Sequence, residues 1–428
     1  MKIGKKSAMK EKLKIFVSAY ACEPNLGSEI GVGWHWVLEM SKKFELWVLT
    51  RESNRKNIED WIKENKVGEN IHFLYFDLPP SLRFWKKGLK GVRLYYIMWQ
   101  KLTNKIVKET MIKNNIEIYH HLTYGNSLWP VSNYGMKQFF IWGPTGGVDS
   151  IPREYSKYYS IKSRIVEFIR RLVVASLPIN YGFRTRCKHA NLIFCKSYSL
   201  YNNIPQKYRD KAVLFTDVAV EMETSIDYIN NSTLNDIKNE NNSIVNYIVV
   251  GKLDAWRGFD ILIEAFSKAV KENSNIRLDI IGDGSESKTL NKIIEKLNMK
   301  EYIKMSGKVS RNEYYEKMYN ADVIVNSSLK EGAVTVSFDS MAFSKPMICI
   351  DTGGYTRYFN DEYAIVLDRI DRKGLINNLS KAIIKMTNKE LRKNMGQKAF
   401  DEGCKYTWED KGNKIYKEIM KAYGGSYE

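Results

Sequence analysis

An alternation of short apolar runs with longer amphipathic stretches constrains the fold of this chain more than any other feature. Several of the apolar runs are continuous and rich in β-branched residues, which is typical of strands buried on both faces. Amphipathic stretches of helical length, such as 258–271 and 286–297, lie between them. This order predicts parallel sheets flanked by helices, an α/β fold. The strand candidates are KIFVSAY, ELWVLT, IHFLYF, IEIYHHL, QFFIWG and NLIFC in the first half, and NYIVVG, RLDIIG, YIKMSG, DVIVNS and PMICID in the second.

Chain length divides this alternation into two domains. The 428 residues exceed one ordinary core, so two domains of ~200 residues each are expected. The alternation is interrupted at 227–243, a polar, Asn-rich stretch that is typical of a surface loop near a domain junction. We therefore expect one doubly wound domain over residues 1–216, a second over 217–403, and a cleft between them. A last helix, 408–423 within the segment 404–428, is expected to pack back on the first domain.

The net charge of +18 indicates a polyanionic partner, such as nucleic acid, an anionic membrane face or a phosphorylated substrate. Residues 78–108 combine Arg and Lys with Trp, Tyr and Phe and contain no acid, and residues 160–171 are basic and amphipathic. Such helices suit an anionic membrane interface, although an ordinary helix with a solvated basic face has the same composition. Basic, aromatic grooves also bind single-stranded nucleic acid, but the sequence has no signature of a nucleic-acid-binding module.

The cysteines and the N-terminus set further limits. The five cysteines are scattered and lack metal-ligand spacing, so neither a disulfide framework nor a zinc site is indicated, and a reducing cytosol fits. No run approaches the ~18 apolar residues that a membrane span needs. The apolar run IFVSAYAC after a basic start resembles a short lipoprotein signal, but a first buried strand explains so short a run better.

Candidate ligand-binding residues follow the strands, because open parallel sheets bind ligands at the carboxyl ends of their strands. After the first strand, the loop EPNLGSEIGVGW contains Gly27 and Ser28 just before a helix. Such a loop offers backbone N–H groups to an anion at a helix N-terminus. A tight strand-to-helix turn has the same composition, and the glycine spacing is not that of a dinucleotide-binding fingerprint.

Two cations and three glycines follow strands of the second half. Lys252 and Arg257 flank a turn before a helix, where they could clamp a diphosphate. Gly282, Gly284 and Gly307 would lie along the same edge of the sheet. Taken one at a time, these residues are also explained by solvated surface charges and plain turns.

The stretch EGAVTVSFD carries two carboxylates, Glu331 in a loop and Asp339 inside the following helix. Gly332, Ala333 and Val334 lie between them at the helix N-terminus, where a phosphate is favoured. One acid could then hold sugar hydroxyls and the other the ribose of a nucleotide. A capping acid followed by a solvated helix acid is the alternative.

Taken together, these motifs resemble the family 4 glycosyltransferases, retaining enzymes of the GT-B fold with two Rossmann-like domains. EGAVTVSFDSMAFSKPMICIDTGG is similar to the family's Glu-x7-Glu signature and to the Lys-Pro strand and Gly-Gly turn that follow it. VVGKLDAWRGFDILIEAF and LDIIGDGSE precede it in the family's order. ACEPNLGSEIGVGW and WGPTGGVDSIP further resemble a bacterial polysaccharide-building branch.

The resemblance implies that the second domain binds a nucleotide-sugar. Glu331 matches the family's first glutamate, which contacts the donor sugar, and Asp339 matches the second, which holds the ribose. Lys252 and Arg257 match the basic pair that binds the donor diphosphate. Three departures are visible. Asp339 is one methylene shorter than Glu, Lys252 stands where Arg is common, and Ser344 stands where the family usually has Gly.

The resemblance implies that the first domain binds the acceptor. Gly27 and its neighbours match a loop that approaches the phosphate when the cleft closes. His120 or His121, at the end of IEIYHH, resembles the family's histidine near the sugar, and the double histidine leaves the register open. A histidine of the core or of the rim would give the same sequence.

The function implied is that of a metal-independent, retaining glycosyltransferase without a cofactor. Its donor would be a UDP- or GDP-sugar and its acceptor a saccharide, carried on a lipid, in surface or capsular polysaccharide synthesis. The chain would then be cytoplasmic, at the inner face of the plasma membrane. An Asp-x-Asp motif of the metal-dependent kind does not occur in a plausible loop. An inactive scaffold of similar fold, a nucleic-acid-binding protein and a sugar-nucleotide epimerase are the alternatives.

Overall fold

Thirteen strands and the helices between them build the described part of the chain. The computed structural model describes residues 12–86, 88, 91–132, 138–222, 225–226, 243–330, 335–352 and 357–424. The strands of the first half are β1 (Lys14–Ser18), β2 (Glu45–Thr50), β3 (Ile71–Tyr75), β4 (Ile118–His121), β5 (Phe139–Thr145), β6 (Leu192–Cys195) and β7 (Ala212–Leu214). Those of the second half are β8 (Val245–Val250), β9 (Ile276–Ile281), β10 (Ile303–Gly307), β11 (Val323–Asn326), β12 (Met347–Ile350) and β13 (Ala364–Leu367).

The strands form two parallel sheets. The first has the order β3-β2-β1-β4-β5-β6-β7 and the second the order β10-β9-β8-β11-β12-β13. Every neighbouring pair in both sheets is parallel. The predicted α/β fold class with two doubly wound sheets is therefore confirmed. All eleven predicted strands are present, whereas β7 and β13 are short, mostly half-buried edge strands that leave little pattern in the sequence.

Helices cover both sheets. Those of the first half are α1 (Ser28–Ser41), α2 (Arg55–Asn65), α3 (Pro80–Arg83), α4 (Val92–Leu102), α5 (Asn104–Lys113), α6 (Arg153–Ser156), α7 (Ile161–Ala175), α8 (Tyr181–His189) and α9 (Tyr198–Asn203). Those of the second half are α10 (Phe259–Glu272), α11 (Ser287–Lys296), α12 (Arg311–Asn320), α13 (Thr335–Ala342), α14 (Arg372–Lys385), α15 (Lys389–Gly403) and α16 (Trp408–Tyr423). None of the described helices is long and apolar enough to span a bilayer.

The first strand lies inside the first sheet, between β2 and β4. Ile15, Phe16 and Val17 are fully buried, so the apolar run near the N-terminus is the inner strand that the pattern favoured.

On the other side of the predicted domain boundary, residues 227–242 of the predicted junction loop lie outside the described residues.

The last helix packs on the first domain. α16 lies against α1, and the ring of Trp408 stacks on His35 with the centroids 4.8 Å apart. Ile415 and Ile419 are fully buried. The Lys411 ammonium is buried as well and donates to the Thr216 carbonyl oxygen at 2.7 Å. α16 therefore packs on the first domain, as expected.

The aromatic residues of α4 belong to the core. Tyr95, Tyr96 and Trp99 are all at most 3% exposed and pack in the apolar cluster under the first sheet. The sequence predicted an interfacial helix here because basic and aromatic residues alternate. In the structure the rings fill the core, whereas the basic residues of α4 are exposed together with Leu94 and Leu102.

Candidate functional site

A cleft of about 1310 Å³ lies where the carboxyl ends of the two sheets face each other. Its walls come from both domains, from the loop before α1 and the loops after β4 and β5 on one side, and from the loops after β8, β9 and β10 on the other. A cavity of this size holds a ligand larger than a mononucleotide. The position is the one at which open parallel sheets bind ligands.

The loop before α1 forms part of the first-domain wall. Gly27 is the residue before the first turn of α1 and lines the cleft, and a side chain there would meet no atom within 4 Å. The Glu29 carboxylate, two residues further along, accepts from the Gly125 backbone N–H at 2.7 Å. This bond ties the loop to the segment after β4. Ser28 is the first residue of α1, so its backbone lies at the helix N-terminus as predicted.

Lys252 and Arg257 face this loop from the second domain. The Arg257 guanidinium donates to Ser328 Oγ at 3.2 Å and lies 4.3 Å over the ring of Trp256. The Lys252 side chain is 70% exposed, with its ammonium 3.2 Å from the Asp254 carboxylate. Both line the cleft. The Arg257 guanidinium is therefore held in place by its neighbours, whereas the Lys252 side chain is largely exposed to solvent in the cleft.

Two glycines near Lys252 and Arg257 cannot be replaced by a residue with a side chain. Gly258 has a φ of +66°, and a Cβ there would lie 2.3 Å from the Ser327 carbonyl oxygen. Gly282 has a φ of +139°, and its Cβ would lie 1.9 Å from the Gly251 carbonyl oxygen. Neither place admits a side chain, because both the dihedral and the space exclude one. The backbone of α10 thereby begins close to the end of β11, and the turn after β9 packs against the turn after β8.

Not all the predicted glycines reach the cleft. Gly282 lines it, whereas Gly284 packs on the Leu253 backbone and Gly307 accepts from the Gly282 N–H at 2.8 Å behind the wall. Gly284 and Gly307 therefore support the backbone at the edge of the sheet and do not line the cleft themselves.

Asp339 lies on the cleft wall but is 8% exposed. The Tyr314 hydroxyl, from α12, donates to its Oδ2 at 2.6 Å. Burial raises the pKa of the Asp339 carboxyl to about 7, and the hydrogen bond from Tyr314 opposes this shift only in part. The carboxyl group is therefore a mixture of its neutral and charged forms near pH 7.

The remaining predicted residues of this stretch lie outside the described residues. They are Glu331, Gly332, Ala333, Val334 and the Gly353-Gly354 pair. The residue before them, Lys330, is described. Its ammonium lies 2.9 Å from Glu167 Oε1 of the first domain, and both side chains are 4% exposed. Glu331 thus directly follows, in the sequence, a lysine that is held in a buried ion pair between the domains.

The two candidate histidines lie in the core and not on the cleft wall. His120 and His121 end β4, and adjacent residues of a strand point to opposite faces of the sheet. His120 Nε2 is 2.6 Å from the Gly143 carbonyl oxygen, and His121 Nε2 is 3.1 Å from the Tyr96 hydroxyl. Desolvation lowers the pKa of His120 to about 4 and that of His121 to about 3. The structure therefore places neither imidazole where the resemblance implied one.

Further cleft residues were not singled out from the sequence. Arg311 donates to Glu221 at 2.7 Å and to the Tyr315 hydroxyl at 2.6 Å, beside Asp339. On the opposite wall Tyr124 and Trp129 meet edge to face at 5.8 Å. Their sequence signal is weak, because Arg311 and Tyr315 lie in a stretch after β10 that has the pattern of an ordinary amphipathic helix.

The charges on the wall favour an anion. Eight cations and six acids line the cleft among the described residues, and the neutral fraction of Asp339 increases the excess of positive charge. The cations are Arg93, Arg170, Lys196, Lys252, Arg257, Lys308, Arg311 and Lys330.

Part of the second half of the chain is similar to a known protein family. Residues 233–402 match the model described as Glycosyl transferases group 1. Over 250 residues the chain is 26% identical to the Uncharacterized glycosyltransferase MJ1178 of Methanocaldococcus jannaschii, which covers 57% of this chain and 64% of that protein. The match therefore spans just under two thirds of the relative's length.

Solved structures share the whole fold. A glycosyltransferase from Rickettsia africae superposes with a TM-score of 0.62 at 14% identity, over 97% of this chain and all of that one. Anabaena HepE in complex with UDP, and likewise with UDP-glucose, superposes with a TM-score of 0.57 at 11% identity, over 96% of this chain and all of that one. The two sheets and their cleft are thus those of the GT-B fold.

Proposed function

We propose that this protein is a glycosyltransferase that moves a sugar from a nucleotide-sugar donor to a saccharide acceptor. The observation that carries the proposal is the match of residues 233–402 to the Glycosyl transferases group 1 model, because the strand-end loops of that segment line the cleft. The complexes of HepE with UDP and UDP-glucose, in a protein of the same fold, support a nucleotide-sugar as donor.

The donor proposed is a UDP- or GDP-sugar with its diphosphate between the two domains. Lys252 and Arg257 would neutralise the diphosphate, which gains charge as the bond to the sugar breaks. The N-terminus of α1 at Gly27 faces them and contributes its partial positive charge. These groups support a reaction without a metal ion.

Asp339 would hold the ribose together with Tyr314. A carboxyl group held by one hydroxyl keeps its second oxygen for the ligand, since Tyr314 occupies Oδ2. Glu331 would contact the donor sugar from the loop that begins after Lys330. The acceptor hydroxyl would attack on the face that the diphosphate leaves, through an oxocarbenium-like state, so that the anomeric configuration is retained.

The acceptor proposed is a saccharide carried on a lipid, in surface or capsular polysaccharide synthesis. Tyr124 and Trp129 offer aromatic faces at the first-domain side of the cleft, where a sugar ring could stack. The net charge of +18 supports work at an anionic cytoplasmic membrane face.

A thermal-shift titration with UDP, GDP and ADP tests the donor site. At a hundredfold excess over its Kd, a nucleotide that binds only the folded protein adds about 2.7 kcal/mol to the free energy of unfolding. We expect a rise in Tm with UDP or GDP, and loss of most of that rise in Arg257→Ala. Arg277→Ala, an arginine of the same domain that does not line the cleft, is the control and should keep the full shift.

Two results would overturn parts of this proposal. A full Tm shift and full turnover in Arg257→Ala would remove Arg257 from the diphosphate site. No shift with any of the three nucleotides would favour the inactive scaffold over the enzyme. Isomerisation of the donor alone, without an acceptor, would favour the epimerase.

A further inference from the structure

Helix α7 turns its apolar face to the solvent. Five apolar side chains recur at spacings of three and four residues and form one stripe along the helix. Each of them is more than half exposed, in contrast to the usual surface helix, whose apolar stripe faces the core. The stripe comprises Ile161, Ile165, Phe168, Ile169 and Leu172, with Val166 at its edge.

The polar face of the same helix is turned inward. Glu167, the one fully buried residue of α7, forms the ion pair with Lys330 of the second domain at 2.9 Å. One turn earlier, Ser163 Oγ donates to Glu286 Oε1, also of the second domain, at 3.2 Å. The orientation of α7 is therefore fixed by polar contacts across the domains, and the apolar stripe cannot turn inward without breaking them.

The surface continues past the end of α7. Ile179 is 82% exposed and Tyr181, the first residue of α8, is 83% exposed. Exposed apolar patches of this extent mark an interaction surface.

The charge around the stripe is of one sign. From residue 157 to residue 188 the chain contains eight Lys or Arg and a single acid, Glu167, whose charge is buried against Lys330. Seven of the eight cations are at least partly exposed. A second copy of this chain would bring like charges together, whereas an anionic lipid surface is complementary to the cations and takes up the apolar stripe as well.

We propose that α7 and the turn into α8 are a docking surface for an anionic lipid bilayer, with the apolar stripe buried among the acyl chains. The exposed cations of 157–188 that do not line the cleft contact the lipid headgroups, and the inward polar face is in contact with the second domain. The proposal deepens the proposed function, on which it rests for a lipid-carried acceptor. Of the two basic stretches that suit a membrane interface, 78–108 and 160–171, it selects the second, which overlaps α7, because the rings of α4 are in the core.

Vesicle sedimentation with substituted helices tests the surface. Ile165→Ser, Phe168→Ser and Ile169→Ser are combined in one variant, and Leu94→Ser, Leu102→Ser and Ile112→Ser in a matched variant on α4 and α5. All six side chains are exposed, so both variants should fold. The probes are vesicles of phosphatidylcholine with phosphatidylglycerol, and vesicles of phosphatidylcholine alone.

We expect the wild-type chain and the α4–α5 variant to sediment with the anionic vesicles, and the α7 variant to bind at least about tenfold more weakly. Binding should fall with added salt and be weak on phosphatidylcholine alone. Equal binding by the α7 variant would overturn the proposal, as would loss of binding in the α4–α5 variant only. A wild-type chain that binds no vesicle but forms a dimer that the α7 variant lacks would assign the stripe to a protein interface instead.

The Tm shift with UDP or GDP, measured on the same variants, keeps the two proposals apart. Substitutions at the outer face of α7 lie outside the donor cleft and should leave this shift unchanged. A lost vesicle interaction with an intact nucleotide shift supports the docking surface. A protein that sediments with vesicles but shows no nucleotide shift would retain the surface and lose the proposed donor site.

Discussion

Asp339 combines a place on the cleft wall with burial that disfavours its charge. Desolvation outweighs the hydrogen bond from Tyr314, so the pKa of its carboxyl rises to about 7. A glutamate would carry its carboxyl group one methylene further from the helix. The sequence shows only that Asp stands at position 339. The pKa of this carboxyl depends on its burial and on the hydrogen bond from Tyr314, which lies 25 residues away in the sequence. The sequence therefore predicts the acid on the wall but not its protonation.

The raised pKa makes stability depend on pH in a defined direction. Between pH 3.8 and about 7 the folded protein keeps a proton on Asp339 that the unfolded chain has released. The free energy of unfolding should therefore decrease as the pH rises through this window, by up to about 1.4 kcal/mol per pH unit from this group. Asp339→Asn should remove that component. The measurement is Tm against pH for both proteins, and parallel curves would contradict the prediction.

The histidines show a limit of motif reading at the residue scale. The end of a strand was correctly expected to lie near the ligand edge, yet the pleat sends the side chains of His120 and His121 to opposite faces. Trp36 lies beside the first and Tyr96 beside the second, so both faces are occupied by core packing. Which side chains surround a strand end depends on helices distant in sequence, and the local pattern does not carry that information.

At the scale of elements, strand-end loops are predictable because the chain itself encodes them. Gly27, Lys252, Arg257 and Gly282 each follow a strand, and parallel pairing brings all of these loops to the rims of one cleft. Apolar runs also gave eleven of the thirteen strands. The hydrophobic pattern does not predict which face of a helix is turned to the core. α7 has an ordinary amphipathic sequence, and the contacts of Glu167 and Ser163 with the second domain show which face is inside.

The turn after α13 gives a prediction at this scale. Ser344 has a φ of +55°, a left-handed conformation that is unfavourable for residues with a side chain. Ser344→Gly should therefore raise the free energy of unfolding by about 0.5–1 kcal/mol, even after the added freedom of the unfolded chain is counted. Ser340→Gly, inside α13, should lower it instead. Thermal melting of the two variants checks this contrast, and a fall in Tm for Ser344→Gly would contradict it.

At the scale of the whole molecule, the two domains are joined on both sides of the cleft. On one side α16 returns to the first domain, where Lys411 donates to Thr216 at 2.7 Å. On the other side α7 reaches the second domain through Glu167 and Lys330. The alternation of strands and helices predicts two domains but not these connections, because each depends on contacts between residues that are far apart in sequence. The relative position of the domains, and hence the width of the cleft, rests on such contacts.

The ion pair of Glu167 with Lys330 is the connection most sensitive to a single substitution. Both side chains are 4% exposed, so Glu167→Gln removes a carboxylate that lies 2.9 Å from a buried ammonium and should cost about 3 kcal/mol of stability. Lys330→Met alone should cost a similar amount. The double variant Glu167→Gln, Lys330→Met should recover part of the loss, since the ammonium and the carboxylate that faces it are then removed together.

Thermal melting of the two single variants and the double variant gives the coupling between these residues. Glu295→Gln, which removes the carboxylate of an exposed pair with Lys300, is the control and should leave Tm nearly unchanged. If the losses of the single variants simply add in the double variant, the two side chains act independently. The domains would then be held at this side by other contacts, such as that of Ser163 with Glu286. Recovery in the double variant would instead identify a buried ion pair that fixes how the first domain, and with it α7, sits on the second.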